Sequence, residues 1–387
     1  MSKLAAWATI LGIGTATPQA DFQAAGEMHS APAHHWARAL PGLPFPAATH
    51  TELGAPLIDG GSIYLGAAGS DSLYVLNRRD GTLQGSFAAS GPVQAAPVIV
   101  DEQLYFTDST GYTWCYSLAT GEAVWQHYGG APILAPALVD AGQVFVSNVG
   151  GVSYALDAKS GELQWRHVQE PDITRRSQLE LYGAPAPTLH GDHVLIGAHD
   201  GSIVALERFK GVRSWQRKVG EGRYPDLIGS AAVRDGDAIV AGFSQPLVSM
   251  DVESQNVRWR VDAGGVQAPL VDGRSVYHGG VDGKLRKVDA ITGSVAWTWT
   301  CPKGGTLGKP VKIPAGLLVA SSEGTLYMVD DADGGQLWSY QPGHSISGIT
   351  AGIAVEGRQA VVVTNAGNVI SLIVPSKKSS SGSGDGS

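Results

Sequence analysis

The chain has 387 residues, a formal net charge of −8, 16% charged residues and 52 glycines. With no basic run longer than Arg175-Arg176 or Lys377-Lys378, it lacks the footprint of a nucleic-acid binder, whose affinity rests on neutralising phosphates. Abundant glycine beside short runs of Val, Ile, Leu and Tyr points to an all-β protein rich in turns.

Residues 1–20 open with Lys3, continue through the mostly apolar stretch Leu4 to Ala16 and end in small residues. That is the layout of a secretory signal, too short for a membrane span, so export to the periplasm is expected. No cysteine stands near its end to carry a lipid. Residues 21–33 read as a linker. His29, His34 and His35 have no Cys or acidic residue at ligand spacing, which favours an exposed polar segment over a metal site. Trp36-Ala37-Arg38-Ala39-Leu40-Pro41-Gly42 then resembles the last strand of later units, such as Trp338-Ser339-Tyr340-Gln341-Pro342-Gly343, yet no hairpin precedes it.

From there one frame recurs. Gly151 to Trp165 reads as an alternating strand, a polar turn closed by Gly161, and a strand carrying tryptophan. Gly111, Gly121 and Trp125 keep the same spacing, ten residues and then four, as do Gly201, Gly211 and Trp215, Gly283, Gly293 and Trp297, and Gly324, Gly334 and Trp338. Asp71, Gly81 and Gly85 fit it with the tryptophan lost; Gln245, Gln255 and Trp259 fit it with both glycines lost. Each unit opens with an apolar strand often preceded by Ala-Pro, followed by a second strand such as Gln143 to Ser147, which makes a four-stranded meander and hence one propeller blade. The eighth unit lacks its fourth strand: the frame puts Ser381 where tryptophan should be, inside the Ser/Gly-rich tail 375–387, which reads as disordered.

The orphan strand at Trp36 supplies what the eighth unit lacks. Residues 34–374 are therefore predicted to form an eight-bladed β-propeller of four-stranded antiparallel blades, the last closed by an N-terminal strand that removes two free edges. Trp36, Trp125, Trp165, Trp215, Trp259, Trp297 and Trp338 are expected to be structural, packed between neighbouring blades. Cys115 and Cys301 stand outside any CxxC or Cys/His spacing and read as buried packing residues too far apart to pair.

No Gly-x-Ser-x-Gly, HExxH or P-loop is present, so no catalytic residue and no metal site is predicted. The informative irregularity is in spacing. Trp165 to Trp215 is 50 residues and Trp215 to Trp259 is 44, against 40 for Trp125 to Trp165 and 41 for Trp297 to Trp338. The extra residues fall in two successive blade-to-blade connections, which a meander places side by side on one face. In the first, Leu179 and Leu181 would point the same way from an extended segment and form an apolar patch of the kind that marks a partner site.

Asp200 to Glu207 and Asp282 to Asp289 resemble the repeat of pyrroloquinoline quinone (PQQ)-type propellers. Ser177-Gln178-Leu179-Glu180-Leu181-Tyr182-Gly183-Ala184-Pro185-Ala186-Pro187, followed by Ala205 to Gly211 and Trp215-Gln216-Arg217, resembles the central region of the outer-membrane assembly factor BamB family. The resemblance implies a non-enzymatic subunit with no cofactor, held through partners at the inner face of the outer membrane. It also implies docking of the POTRA domains of a BamA-like protein, and contact with nascent outer-membrane proteins. Carried over, it assigns partner contacts to Leu179, Leu181 and Tyr182 of the first connection and to Arg223 and Asp226 of the second, with Asp226 as a charged rim contact. Tyr182 and Ile228 depart from the family's usual arginine and aspartate, and the family's lipid-bearing cysteine is missing. The alternatives are a propeller serving other envelope proteins and a PQQ-dependent dehydrogenase, which would need calcium ligands and, in many members, a Cys-Cys pair that this chain lacks.

Overall fold

Short alternating runs separated by glycine turns pair most readily with their sequence neighbours, and within the repeats they do so. The computed structural model describes residues 21–24, 32–40, 54–169, 185–221, 224–342 and 348–375, and every regular element among them is a strand. Two strands precede the repeats, β1 (Asp21–Ala24) and β2 (Ala33–Ala39). Blade 1 is the meander β3 (Leu57–Asp59), β4 (Ser62–Ala67), β5 (Ser70–Asn77) and β6 (Leu83–Ala88), each paired antiparallel with the next. The same order recurs in blades 2 to 7, at 98–128, 138–168, 188–218, 232–261, 270–300 and 311–341. Innermost strands touch between blades 2 and 3, 4 and 5, and 5 and 6, and β3 touches Ala354–Glu356 of blade 8, so the ring is closed.

Blade 8 supplies Ala354–Glu356, Gln359–Val363 and Asn368–Ile373, and its outer strand is β2, antiparallel to Asn368–Ile373. The eight-bladed propeller and its N-terminal closure are thus as expected. β2 also reproduces a detail of the other outer strands. Its register shifts between His34 and Trp36, just before the tryptophan, as it shifts beside Trp125, Trp165 and Trp215. His35 Nδ1 lies 3.2 Å from Ser371 Oγ, which ties that histidine to the sheet; His29 lies outside the described residues. One strand was not anticipated. β1, within the stretch read as linker, adds a fifth strand to the outer edge of blade 7, Asp21 opposite Gln341 and Ala24 opposite Trp338.

The core is divided among the blade junctions, with a buried apolar cluster at each of the eight. The tryptophans explain much of it. Trp36, Trp125, Trp165, Trp259 and Trp297 each reach into the next blade, where the indole Nε1 donates to the carbonyl of Arg78, Ala158, Arg208, Ala290 and Asp331, at 2.7 to 3.1 Å. Each ring lies against the turn glycine of that blade: a Cβ on Gly161 would sit 2.6 Å from Trp125, and one on Gly211 2.4 Å from Trp165. Blade 1 has Gly85 in place of the tryptophan, and there the facing Gly121 has open space around it. Its junction with blade 2 is filled instead by Phe87, Phe106, Trp114 and Tyr116, the last two 6.1 Å apart by ring centroid. At the junction of blades 4 and 5 the turn glycine is replaced by Gln255, at φ +59°, and Trp215 stays half-buried. Cys115 and Cys301 are buried free thiols, and burial pushes that of Cys115 up to about 11.

Candidate partner-docking face

The blade-to-blade connections and the turns between second and third strands share one face of the ring, and both enlarged connections emerge there. Leu179, Leu181 and Tyr182 fall within 170–184 and lie outside the described residues, as does Arg223. Gln169 and Pro185, which flank the first enlarged connection, line a shallow cleft between blades 3 and 4. Ser147 and Asn148 form one wall of it, Ile196 and His199 the other.

His199 joins this cleft to the second connection, because its Nδ1 stands 3.4 Å from Oδ1 of Asp226. The expectation that Asp226 is a charged rim contact is corrected here: the residue is 0% exposed. The reason is the direction of its neighbours. Val219 and Leu227 anchor the segment in the apolar junction of blades 4 and 5, and Pro225 is buried with them. Leu227 N donates to the Ala198 carbonyl at 3.2 Å, while the Asp226 carbonyl passes so close to Gly242 that a Cβ there would sit 2.2 Å from it. The chain therefore dives into the disc at Asp226 and places its carboxylate beside His199 instead of in solvent. What the described part of this connection offers at the surface is Glu221, exposed, with Tyr224, Ile228 and Ser230 half-buried.

The hold on this connection comes from blade 5. Gln245 is buried; its Oε1 accepts from Glu221 N at 2.8 Å, and its Nε2 donates to the carbonyls of Glu221 at 2.8 Å and Tyr224 at 2.7 Å. Arg260 Nη1 adds a bond to the Val219 carbonyl at 3.0 Å. The sequence reading missed both residues; the visible signal was that Gln245 breaks the glycine frame.

The opposite face carries the short hairpin turns and repeated ionic staples. Arg78 bonds through Nε to Gln359 at 2.7 Å and pairs with Glu356 across the closing junction. Arg208 does likewise with Gln143 at 3.1 Å and Asp140. Asp331 reverses the charges by gathering Lys287 and Lys312. These contacts are internal to the ring. Among the described residues no group of three His, Cys, Asp or Glu is placed to hold a metal ion.

Repeats, closure and one-sided enlarged connections define an eight-bladed propeller of the PQQ-like class. A family profile described as "Outer membrane protein assembly factor BamB" matches residues 35–138, 97–299 and 281–374, and the chain belongs to that family. It is 21% identical over 269 residues to the outer membrane protein assembly factor BamB of Yersinia pestis, which covers 67% of this chain and 64% of that relative, so the match spans just under two thirds of the relative's length. A tetrathionate hydrolase of Acidithiobacillus ferrooxidans is 25% identical over 329 residues, covering 81% of this chain and 57% of that enzyme. In fold, the chain is similar to the crystal structure of BamB from Moraxella catarrhalis, with a TM-score of 0.73 at 20% identity over 89% of this chain and 100% of that one.

Proposed function

We propose that the chain is a non-enzymatic scaffold subunit of the outer-membrane β-barrel assembly machinery, working in the periplasm at the inner face of the outer membrane. In this reading its connection-bearing face docks the POTRA domains of a BamA-like protein and so aids insertion of outer-membrane proteins, with nascent barrels as further partners. The observation that carries it is family membership across residues 35–374, supported by a cleft lined by Gln169 and Pro185, the flanks of the first enlarged connection, and by His199, which contacts Asp226 of the second. Leu179, Leu181, Tyr182 and Arg223 are the proposed contacts, with Glu221 and Tyr224 as surface neighbours, while Asp226 supports the connection from below. Affinity capture of the chain from envelope extract, read by mass spectrometry, tests this. A BamA-like protein should dominate the catch, and its absence would contradict the proposal.

The likeness to a tetrathionate hydrolase favours one rival, catalysis on the same scaffold. It makes opposite predictions. The purified chain should leave tetrathionate intact and, supplied with pyrroloquinoline quinone and calcium, should leave an artificial electron acceptor unreduced across common alcohols and aldoses. Turnover in either assay would favour the rival.

A further inference from the structure

Blade 5 departs from the repeat at the position that faces the second enlarged connection. Blades 2, 3, 4, 6, 7 and 8 place Gly111, Gly151, Gly201, Gly283, Gly324 and Gly367 there with positive φ, and blade 1 places Asp71. Blade 5 has Gln245, which keeps the turn's own bond, from its N–H to the Gly242 carbonyl at 3.2 Å, without the left-handed backbone. A glutamine is therefore not demanded by the turn. Its side chain is committed to the connection, one acceptor and both donors used on Glu221 and Tyr224. An uncharged amide supplies that combination; a carboxylate of the same size would turn oxygen toward two carbonyls. The bonds matter because Glu221 and Tyr224 lie outside any strand, so no ladder supplies partners for their backbone groups. Two further features of blade 5 serve the same segment: Arg260 on the Val219 carbonyl, and Gly242, whose missing side chain admits Asp226.

We propose that Gln245 is the positioning residue of the docking face, ordering residues 219–221 and 224–231 of the second connection before a partner arrives. This rests on the function proposed above. A connection already held in its bound shape spares the partner the entropy of ordering it, so loss of the clamp lowers affinity by the fraction of molecules still correctly arranged.

The test uses the full chain in two variants, Gln245→Gly, which restores the repeat's residue, and Gln245→Glu, which keeps the size and removes the donors. In the free protein, amide hydrogen exchange across 219–228 should be about tenfold faster in both, with the melting temperature nearly unchanged. Affinity for the POTRA domains of a BamA-like protein should fall about tenfold in both, because a clamp that leaves a tenth of the molecules ordered costs that factor. Unchanged exchange in Gln245→Glu would show that the side chain only fills space and would overturn the proposal, as would faster exchange with unchanged affinity. Failure of the wild-type chain to bind those domains would count against the proposed function, and the exchange measurement separates the two failures because it needs no partner.

Discussion

A tryptophan on an outer strand can lie flat against the next blade only where the facing turn has no side chain. That condition links two residues about 34 to 46 positions apart, and it makes glycines at the same place in the repeat unequal. Gly161 and Gly121 both adopt φ +73°, so alanine at either pays the left-handed strain, about 1–2 kcal/mol. Only at Gly161 would the new methyl also strike an indole, that of Trp125. Gly161→Ala should therefore destabilise the fold by roughly 2 kcal/mol more than Gly121→Ala in urea unfolding. Equal losses would show that the tryptophan does not rest on its glycine. A second residue-scale prediction concerns His278, 1% exposed beside Gly265 and opposite Arg286 in the sheet. Burial, reinforced by the Arg286 charge and opposed by backbone groups of Ala263 and Gly264, lowers its pKa from 6.5 to about 4. The folded state thus resists a proton that the unfolded state takes up readily. Its contribution is fully present above pH 6.5 and is lost as pH falls from there toward 4, about 3 kcal/mol in all. His278→Gln should flatten that part of the stability–pH curve; an unchanged slope would place the titration elsewhere.

At the scale of elements, the closing strand is the one whose loss should be felt by the whole ring. β2 contributes Trp36, which is 5% exposed and bonds Arg78 of blade 1, while Arg78 in turn holds Gln359 and Glu356 of blade 8. Trp36→Ala should cost roughly 3–5 kcal/mol, and deletion of residues 34–42 should cost more and lower the melting temperature sharply. If the truncated chain melts within a degree or two of the full one, the closure is wrong. Deletion of β1 should by contrast leave the melting temperature nearly unchanged, since it adds only four residues to an outer edge. The contrast also marks what the sequence could reveal. β2 was legible because it repeats the Trp-bearing pattern of its neighbours and because blade 8 visibly lacked a strand. β1 was not, because Asp21-Phe22-Gln23-Ala24 belongs to no repeat and only backbone pairing with blade 7 defines it. In the candidate site, spacing between tryptophans located both enlarged connections, yet it carried no information on the inward turn at Pro225 and Leu227. Asp226 thus looked like a rim charge in the sequence and is a buried one in the structure.

At the scale of the molecule, the two faces of the disc divide the work. One carries short turns and ionic staples between blades; the other carries the enlarged connections, the second of them held by Gln245, Arg260 and the His199–Asp226 contact. A partner site on the second face should be sensitive to side chains there and indifferent to turns on the first, such as Lys159-Ser160 and Ile291-Thr292. Since a few residues carry most of an interface's binding energy, the double change Leu179→Ala and Leu181→Ala should cost roughly 2–4 kcal/mol of affinity for purified POTRA domains of a BamA-like protein. Isothermal titration of that variant, beside the wild type and beside a variant altered at Lys159 and Ser160, is the most direct measurement. Weakened binding by the leucine variant alone, with its melting temperature retained, is the predicted result; unchanged affinity in a well-folded leucine variant would contradict it.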